Sequence, residues 1–263
     1  FLNLNFLEIT GTLNPESNFD VSSLVNLRTI KFSGNKALSL LLERNLISFP
    51  PQITRLVFNS CSLRSVPQGF FAQFRALEDL NLSKNSLNPE VQDEIMQASN
   101  ITSLNLSLNG SLEYLPARLS NLPNLKALDV SGIMFDWQSG IFFPYFQIRS
   151  PEYKRLLFRD RPTNFSTFTT LTTLNLSGCP FVTESFLEDH IVSLPMLKNL
   201  ILSETGDLSL LARTLISCKS LEKLTLIGDL PDNIFEIFLP LLDAGLKHFG
   251  TQIKKKPASI FNF

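Results

Sequence analysis

The stretch Leu77-Glu-Asp-Leu-Asn-Leu-Ser-Lys-Asn-Ser-Leu87 is followed 24 residues later by a second copy of its pattern, Ile101-Thr-Ser-Leu-Asn-Leu-Ser-Leu-Asn109. In each copy an apolar residue is followed by leucines three and five positions later and by asparagine eight positions later. Leucines that alternate with polar residues have the two-residue period of a short β-strand with one buried face. A single strand cannot bury that face alone, so the pattern predicts turns that stack on one another.

The same pattern continues through the 263 residues and accounts for the high leucine content of the chain. If the first apolar position of each copy is taken as an anchor, eleven turns follow one another at intervals of 18 to 28 residues. The anchors are Leu4, Leu27, Ile53, Leu77, Ile101, Leu125, Tyr153, Leu171, Leu197, Leu221 and Leu246.

The L-x-x-L-x-L-x-x-N pattern at this period resembles the leucine-rich repeat superfamily from end to end, with mixed typical and helical-convex repeats of about 24 residues. The resemblance implies an α/β solenoid, a right-handed horseshoe with a parallel concave β-sheet and convex 3₁₀ or α elements, in about 11 repeats. We therefore interpret residues 1–263 as a single leucine-rich-repeat domain. Within it, 133–170 is an irregular repeat with an aromatic insertion, and 254–263 is a tail or a truncated end.

The position eight residues after each anchor is expected to have a special role. Most of its occupants are small and polar, or cysteine, so their side chains can turn inward and satisfy backbone groups of adjacent turns. The series reads Thr12, Asn35, Cys61, Asn85, Asn109, Ile133, Arg161, Cys179, Thr205, Asp229 and Lys254.

The segments between strands predict two kinds of convex element. Early turns have an extended or 3₁₀ style, whereas later turns have apolar residues at helical spacing. Asn88 and Pro89 are expected to cap and begin one helix. The predicted helices are Glu90–Ala98, Thr183–Leu194, Leu208–Cys218 and Asp232–Leu242, and the phenylalanines expected inside the convex layer are Phe71, Phe74, Phe235 and Phe238.

The irregular turn around Tyr153 carries a cluster of aromatic residues between 135 and 146, including the only tryptophan, Trp137, and Tyr145. One interpretation is that these side chains fill a widened convex core. The other is that they form a partner-binding cluster, because tryptophan and tyrosine are enriched at binding hot spots. Both interpretations remain open at the level of sequence.

The concave face is predicted to carry the side chains two, four and six positions after each anchor. They are mostly small and neutral, with isolated apolar residues and no cluster of one charge sign, which suits a protein or peptide ligand. Basic residues concentrate only at the irregular turn, as a solvated edge or as a contact for an acidic partner. The predicted partner-binding residues are Trp137, Tyr145, Arg155, Leu157, Arg159, Asn175 and Ile201.

Other function classes have no support in the sequence. The net charge of −1 offers no field for nucleic acid, and no apolar run is long enough to span a membrane. Phosphate-binding and metal-binding motifs are missing, and His190 and His248 are interpreted as surface or boundary residues. We therefore expect no catalytic residues, no metal and no cofactor.

The cysteines and glycosylation motifs bear on the compartment. Cys61, Cys179 and Cys218 are too far apart to indicate a disulfide framework. Of six N-x-[ST] motifs, only those at Asn100 and Asn164 are expected to be open to glycosylation. The absence of cysteine-rich caps favours an intracellular location without excluding an extracellular one. The chain is also interpreted as part of a larger polypeptide or complex.

The sequence therefore predicts a non-catalytic module that recognises a protein or peptide, mainly on its concave face. Two alternatives stay open. The chain is a structural repeat segment of a larger receptor or assembly, or it is the recognition portion of a multidomain enzyme, such as a ubiquitin ligase, whose catalytic part lies outside these residues.

Overall fold

A computed structural model describes residues 3–88, 90–110, 112, 117–133, 165–179, 182–203 and 206–252. Ten of their strands form one parallel sheet. A second sheet pairs only β2 (Phe19–Asp20) with β4 (Ile47–Ser48). The strands of the large sheet, in spatial order, are β1 (Phe6–Thr10), β3 (Thr29–Ser33), β5 (Arg55–Asn59), β6 (Asp79–Asn81), β7 (Ser103–Asn105), β8 (Ala127–Asp129), β9 (Thr173–Asn175), β10 (Asn199–Ser203), β11 (Lys223–Ile227) and β12 (His248–Gln252).

The strands follow the leucine alternation, because equivalent leucines of successive turns lie side by side. Leu80 is the register partner of Leu104, which pairs with Leu128, which pairs with Leu174. All four are at most 1% exposed. The other face of the sheet carries the side chains predicted for the concave face, and we keep that name for it. The predicted α/β solenoid with a parallel sheet is confirmed.

Short helical elements return the chain from one strand to the next. The predicted helical segments are confirmed with changed bounds: all are shorter than predicted, and the last one ends one residue beyond Leu242. The α-helices are α1 (Leu38–Glu43), α2 (Val91–Ile95), α3 (Glu184–Phe186), α4 (Leu208–Leu215) and α5 (Ile234–Asp243); a π-helical turn, Leu187–Ile191, continues α3, and 3₁₀ turns occupy Phe71–Gln73, Ala117–Asn121 and Phe165–Thr167.

The first residues of two helices show which side chains cap them. The Asp207 carboxylate accepts N–H bonds from Ser209 and Leu210 and so caps α4. The prediction that Asn88 caps α2 is wrong. That helix begins at Val91 with Glu90 at the capping position, so Asn88 lies two residues too early, and its Oδ1 has no hydrogen-bond partner in the described part of the chain.

The expected count of eleven turns needs a correction between β8 and β9. Ala127 pairs directly with Thr173, and the Val130 N–H donates to the carbonyl of Asn175. The 46-residue interval is therefore one step of the sheet and not two. The turn expected at Tyr153 falls in 134–164, outside the described residues, and the places predicted for Arg155, Leu157 and Arg159 lie outside them as well.

In the described part of the chain, the strands are followed by a bend seven residues after the anchor. In most described turns this residue has a positive φ, including the non-glycine residues Ser60, Lys84 and Leu108. The N–H of this residue donates to a backbone carbonyl at or just after the end of the next strand along the chain. The bonds are Gly34 to Asn59 (3.0 Å), Ser60 to Ser83 (3.1 Å), Lys84 to Ser107 (2.9 Å), Leu108 to Ser131 (2.8 Å) and Gly132 to Ser177 (2.8 Å).

The next residue, at position eight, points inward as predicted. The Asn85 side chain accepts N–H bonds from Cys61 (2.9 Å) and Leu63 (3.1 Å). Its Nδ2 donates to the carbonyls of Phe58 (2.7 Å) and Leu82 (2.8 Å). Asn109 is placed equivalently, and the thiols of Cys61 and Cys179 donate to carbonyls of the preceding turn. One side chain therefore ties two turns together.

The prediction fails at two described positions, and a third, Asn35, turns inward but has no hydrogen-bond partner for its Nδ2 in the described part of the chain. Thr12 is exposed because β1 is the outermost strand of the described sheet, so no preceding turn supplies a carbonyl for it. Asp229 is exposed as well, and the residue before it, Gly228, lacks the positive φ of most other bends. Arg161, Thr205 and Lys254 lie outside the described residues.

A chain of edge-to-face phenylalanines fills the convex interior of the early turns. Phe32 contacts Phe49 and Phe58, and Phe49 contacts Phe70 and Phe74, with ring centroids 5.7 to 6.3 Å apart. Such pairs add about 1 kcal/mol each beyond their buried area. The predicted interior residues Phe71, Phe74 and Phe238 are buried, whereas Phe235 is 58% exposed and that prediction is wrong.

Replacing Asn85 with alanine should lower the free energy of unfolding by about 3 kcal/mol, because two buried N–H groups lose their partner and the carbonyls of Phe58 and Leu82 each lose a bond, although Leu82 keeps the one from Asn109. Asp229→Ala is the matched control, since it has the same position in its turn but is exposed. It should change stability by less than about 0.5 kcal/mol. Urea denaturation followed by circular dichroism measures both. Similar losses in the two variants would contradict the role given to position eight.

Leu108→Gly should raise the free energy of unfolding by about 0.5 to 1 kcal/mol. Leu108 has φ of 56° and is 51% exposed, so glycine removes strain and loses little packing. Gly132→Ala should have the opposite effect, because Gly132 has φ of 67° and an added Cβ would overlap the Leu108 side chain. Thermal unfolding measures both, and a lower melting temperature for Leu108→Gly would refute the assignment.

Candidate functional site

Parallel register places equivalent residues of successive strands side by side, so the concave face consists of rows that cross the strands. Each row runs perpendicular to the strands, and neighbouring residues in a row lie about 4.8 Å apart. The middle row reads Glu8, Lys31, Val57, Asn81, Asn105, Asp129, Asn175, Ile201 and Thr225.

Hydrogen bonds between neighbouring strands hold many of these side chains in place. Asn59 Nδ2 donates to Ser83 Oγ at 2.7 Å, and the Ser83 hydroxyl donates to Asn81 Oδ1 at 2.7 Å. Farther along, Asn105 Nδ2 donates to Asp129 Oδ2 at 3.3 Å. These bonds fix side-chain rotamers before any ligand arrives, which lowers the entropy cost of binding.

A depression of about 480 Å³ opens on the concave face across β1, β3, β5 and β6. Its floor is Val57, which is 6% exposed, and Phe6 lies on one side with 47% of its surface exposed. The lining residues are Phe6, Thr29, Lys31, Ser33, Arg55, Val57, Asn59 and Asn81.

Two cations line this depression, and each is held by a carboxylate outside the lining. Lys31 Nζ lies 2.8 Å from Glu8 Oε1, and Arg55 Nε lies 3.2 Å from Asp79 Oδ2. Burial raises the pKa of the Asp79 carboxyl, and the nearby Arg55 guanidinium opposes that rise. Both pairs reach solvent, so they contribute little to stability and mainly orient the cations.

The predicted site residues are only partly within the described structure. Asn175 and Ile201 are register partners on β9 and β10, half-buried on the concave face. Trp137, Tyr145, Arg155, Leu157 and Arg159 lie outside the described residues. The depression is three strands away from β9, and sequence reasoning missed Lys31 and Arg55. A comparison of the second and fourth positions across consecutive turns would have placed both cations on neighbouring strands.

The titratable groups that could do chemistry are dispersed. His190 lies in the π-helical turn and is half-buried, and burial lowers the pKa of its imidazole. His248 is exposed on β12. Among the described residues, no three histidine, cysteine, aspartate or glutamate side chains are grouped as metal ligands would be. No helix in the described part is long and apolar enough to cross a bilayer.

Two sequence predictions about modification can be placed. Asn100 is exposed, and its Nδ2 donates to the Arg75 carbonyl at 2.7 Å. Asn109 is completely buried, as expected for an inward side chain that glycosylation cannot reach. Asn164 lies outside the described residues.

Two receptor sequences are similar to this chain, although no family model matches it. Receptor-like protein 6 of Arabidopsis thaliana is 26% identical over 200 residues, which are 70% of this chain and 17% of that protein. Toll-like receptor 7 of Mus musculus is 36% identical over 85 residues, which are 29% of this chain and 8% of that protein. The chain thus spans less than a fifth of either relative.

Solved structures with a similar arrangement include two receptors in complexes. The Arabidopsis receptor kinase HAESA, in complex with the peptide hormone IDA and the co-receptor SERK1, has a TM-score of 0.45 at 18% identity, over 86% of this chain and 34% of that one. Drosophila Toll, in its complex with Spatzle, has a TM-score of 0.48 at 16% identity, over 89% of this chain and 30% of that one.

The three thiols should be unreactive in the folded protein. Cys61, Cys179 and Cys218 are free and buried. Burial raises the pKa of all three and brings that of Cys179 to about 12. Because thiolate is the reactive form, Ellman's reagent at pH 8 should label none of them until urea is added, when all three react. Rapid labelling of the native protein would contradict this.

The same shift predicts a loss of stability in alkali. The folded pKa of Cys179 lies above its ordinary value of 9.0, so its stabilising contribution is complete below pH 9 and declines between pH 9 and about 12. A comparison of urea midpoints for the wild type and Cys179→Ala across this range measures the decline, which should be smaller in the variant.

Proposed function

We propose that this chain is a leucine-rich-repeat protein that acts as a non-catalytic recognition module and binds a protein or peptide on the concave face. The two sequence relatives are named as receptors, which supports recognition as the general role. Because this chain spans a small part of each relative, the proposal concerns the module alone.

The observation that carries the proposal is the pre-organised polar surface of the ten-stranded sheet. Its rows of asparagine, serine and threonine are linked across strands by hydrogen bonds, as between Asn59 and Ser83. A rigid, extended surface with many donors and acceptors suits an extended polypeptide, whose backbone offers a matching group at every residue.

The predicted contacts at Asn175 and Ile201 belong to the same proposal, because both reach solvent on this face. The segment with Trp137, Tyr145, Arg155, Leu157 and Arg159 lies between β8 and β9 in the sequence and outside the described residues. Its participation in binding stays a prediction.

A display experiment tests the proposal. Random twelve-residue peptides on phage would be selected on the immobilised chain, and their affinities would be measured for the wild type, Ser103→Trp and Thr173→Trp. Both substitutions place a large side chain on the concave face, on β7 and β9. We expect one or both of them to weaken most selected peptides about tenfold, which corresponds to about 1.4 kcal/mol.

Arg213→Trp on α4 is the matched control, because Arg213 is exposed on the opposite side of the solenoid. It should leave affinities unchanged within about twofold. Circular dichroism would verify that all three variants fold. If Arg213→Trp abolished binding while both concave variants retained it, the concave face would not be the binding surface.

A further inference from the structure

We propose that the depression across β1, β3, β5 and β6 binds an acidic peptide segment that also carries a large apolar side chain. This inference rests on the proposed function and specifies the chemistry of the ligand. It also places that ligand at the other end of the sheet from Asn175 and Ile201.

The charge of the lining is the first argument. Lys31 and Arg55 line the depression, and no carboxylate does, because Glu8 and Asp79 hold these cations from outside the lining. Arg55 contacts Asp79 through Nε, and within the described part of the chain its terminal guanidinium nitrogens have no other partner. A guanidinium presents five N–H donors, so the nitrogens that remain can bind a carboxylate of the ligand.

The neutral residues of the lining favour an acceptor-rich ligand as well. Asn81 Oδ1 already accepts two bonds from Ser83, one from its N–H at 2.9 Å and one from its hydroxyl at 2.7 Å. What Asn81 offers to a ligand is therefore its Nδ2 donors. Asn59 uses Nδ2 toward Ser83 and Oδ1 toward Ser60. The side chains that bound the depression thus supply donors in excess of free acceptors, which matches carboxylates and peptide carbonyls.

Phe6 and Val57 supply the apolar part. Phe6 is 47% exposed on β1, and Val57 forms the floor within the otherwise polar and charged middle row of this region. An aromatic or aliphatic side chain placed between them would remove apolar surface from water, which favours binding. An inorganic anion cannot make this contact, and a nucleic acid would meet a chain with a net charge of −1. A peptide can satisfy both parts of the depression.

The test uses two synthetic peptides of equal size. The acidic probe is acetyl-Gly-Asp-Phe-Glu-Gly-amide, and the neutral probe replaces Asp with Asn and Glu with Gln. Binding to the ¹⁵N-labelled chain would be followed by NMR titration. We expect the acidic probe to bind about tenfold more tightly, to perturb the amides of β3 and β5, and to lose most of this advantage in about 0.5 M NaCl.

Matched variants assign the effect to the two cations. Lys31→Gln with Arg55→Gln should abolish the preference for the acidic probe. Lys223→Gln should preserve it, because Lys223 has the same strand position as Arg55 but lies on β11. Asp79→Asn should strengthen binding of the acidic probe by about threefold, because it removes the carboxylate that competes for Arg55. Since a misfolded variant would not bind more tightly, this result cannot come from damage to the fold.

Several results would overturn the inference. The first is equal affinity for the two probes, and the second is a preference for the acidic probe that survives in the double variant. The others are weaker binding of the acidic probe by Asp79→Asn, and binding of inorganic phosphate as tight as that of the acidic probe. Display peptides that depend on the concave face but are not enriched in Asp or Glu would refute the inference and leave the proposed function standing. Display peptides that ignore the concave face would refute the proposed function itself.

Discussion

In this solenoid the tight bend at the end of a strand is buried between neighbouring turns. Its backbone N–H and C=O groups therefore need hydrogen-bond partners. The chain leaves each strand through a residue that usually has a positive φ, and the N–H of that residue donates to the turn that follows. The side chain one position later, such as Asn85 or Cys179, donates to a carbonyl of the preceding turn. Since both partners belong to other turns, no turn is satisfied alone. The stacking of strands and the alignment of concave rows follow from this mutual dependence.

The features that could be read from the sequence are those set by short periods. Strand positions follow from alternate leucines, and inward residues follow from counting eight positions from an anchor. Counting positions within one repeat fails where the outcome depends on a neighbouring turn. Thr12 has the right residue type but no preceding turn, and the 46-residue interval from Leu125 to Leu171 is close to two repeats although Ala127 and Thr173 pair directly. The pattern along the chain indicates where a strand can form, and pairing decides which strands become neighbours in the sheet.

The candidate site was harder to predict because it depends on relations across turns. Lys31 and Arg55 are 24 residues apart and belong to different rows, so nothing in either local sequence marks them as a pair. Their distinction lies in the carboxylates that hold them and in the exposed Phe6 beside them. The basic and aromatic residues at 135–161 were more conspicuous because they are close together along the chain. Composition along a sequence is thus a weak guide to a surface that is built by stacking.

The direct pairing of β8 with β9 across 46 residues has a consequence for how such a protein can diversify. The entropy lost on closing a loop grows only with the logarithm of its length, so doubling the length costs about 0.6 kcal/mol. An ordinary turn here closes over about 24 residues, and the long one is close to double that. Sequence can therefore be gained or lost at this junction for less free energy than a single buried hydrogen bond provides. The length of the segment between β8 and β9 can therefore change while the strand register stays the same.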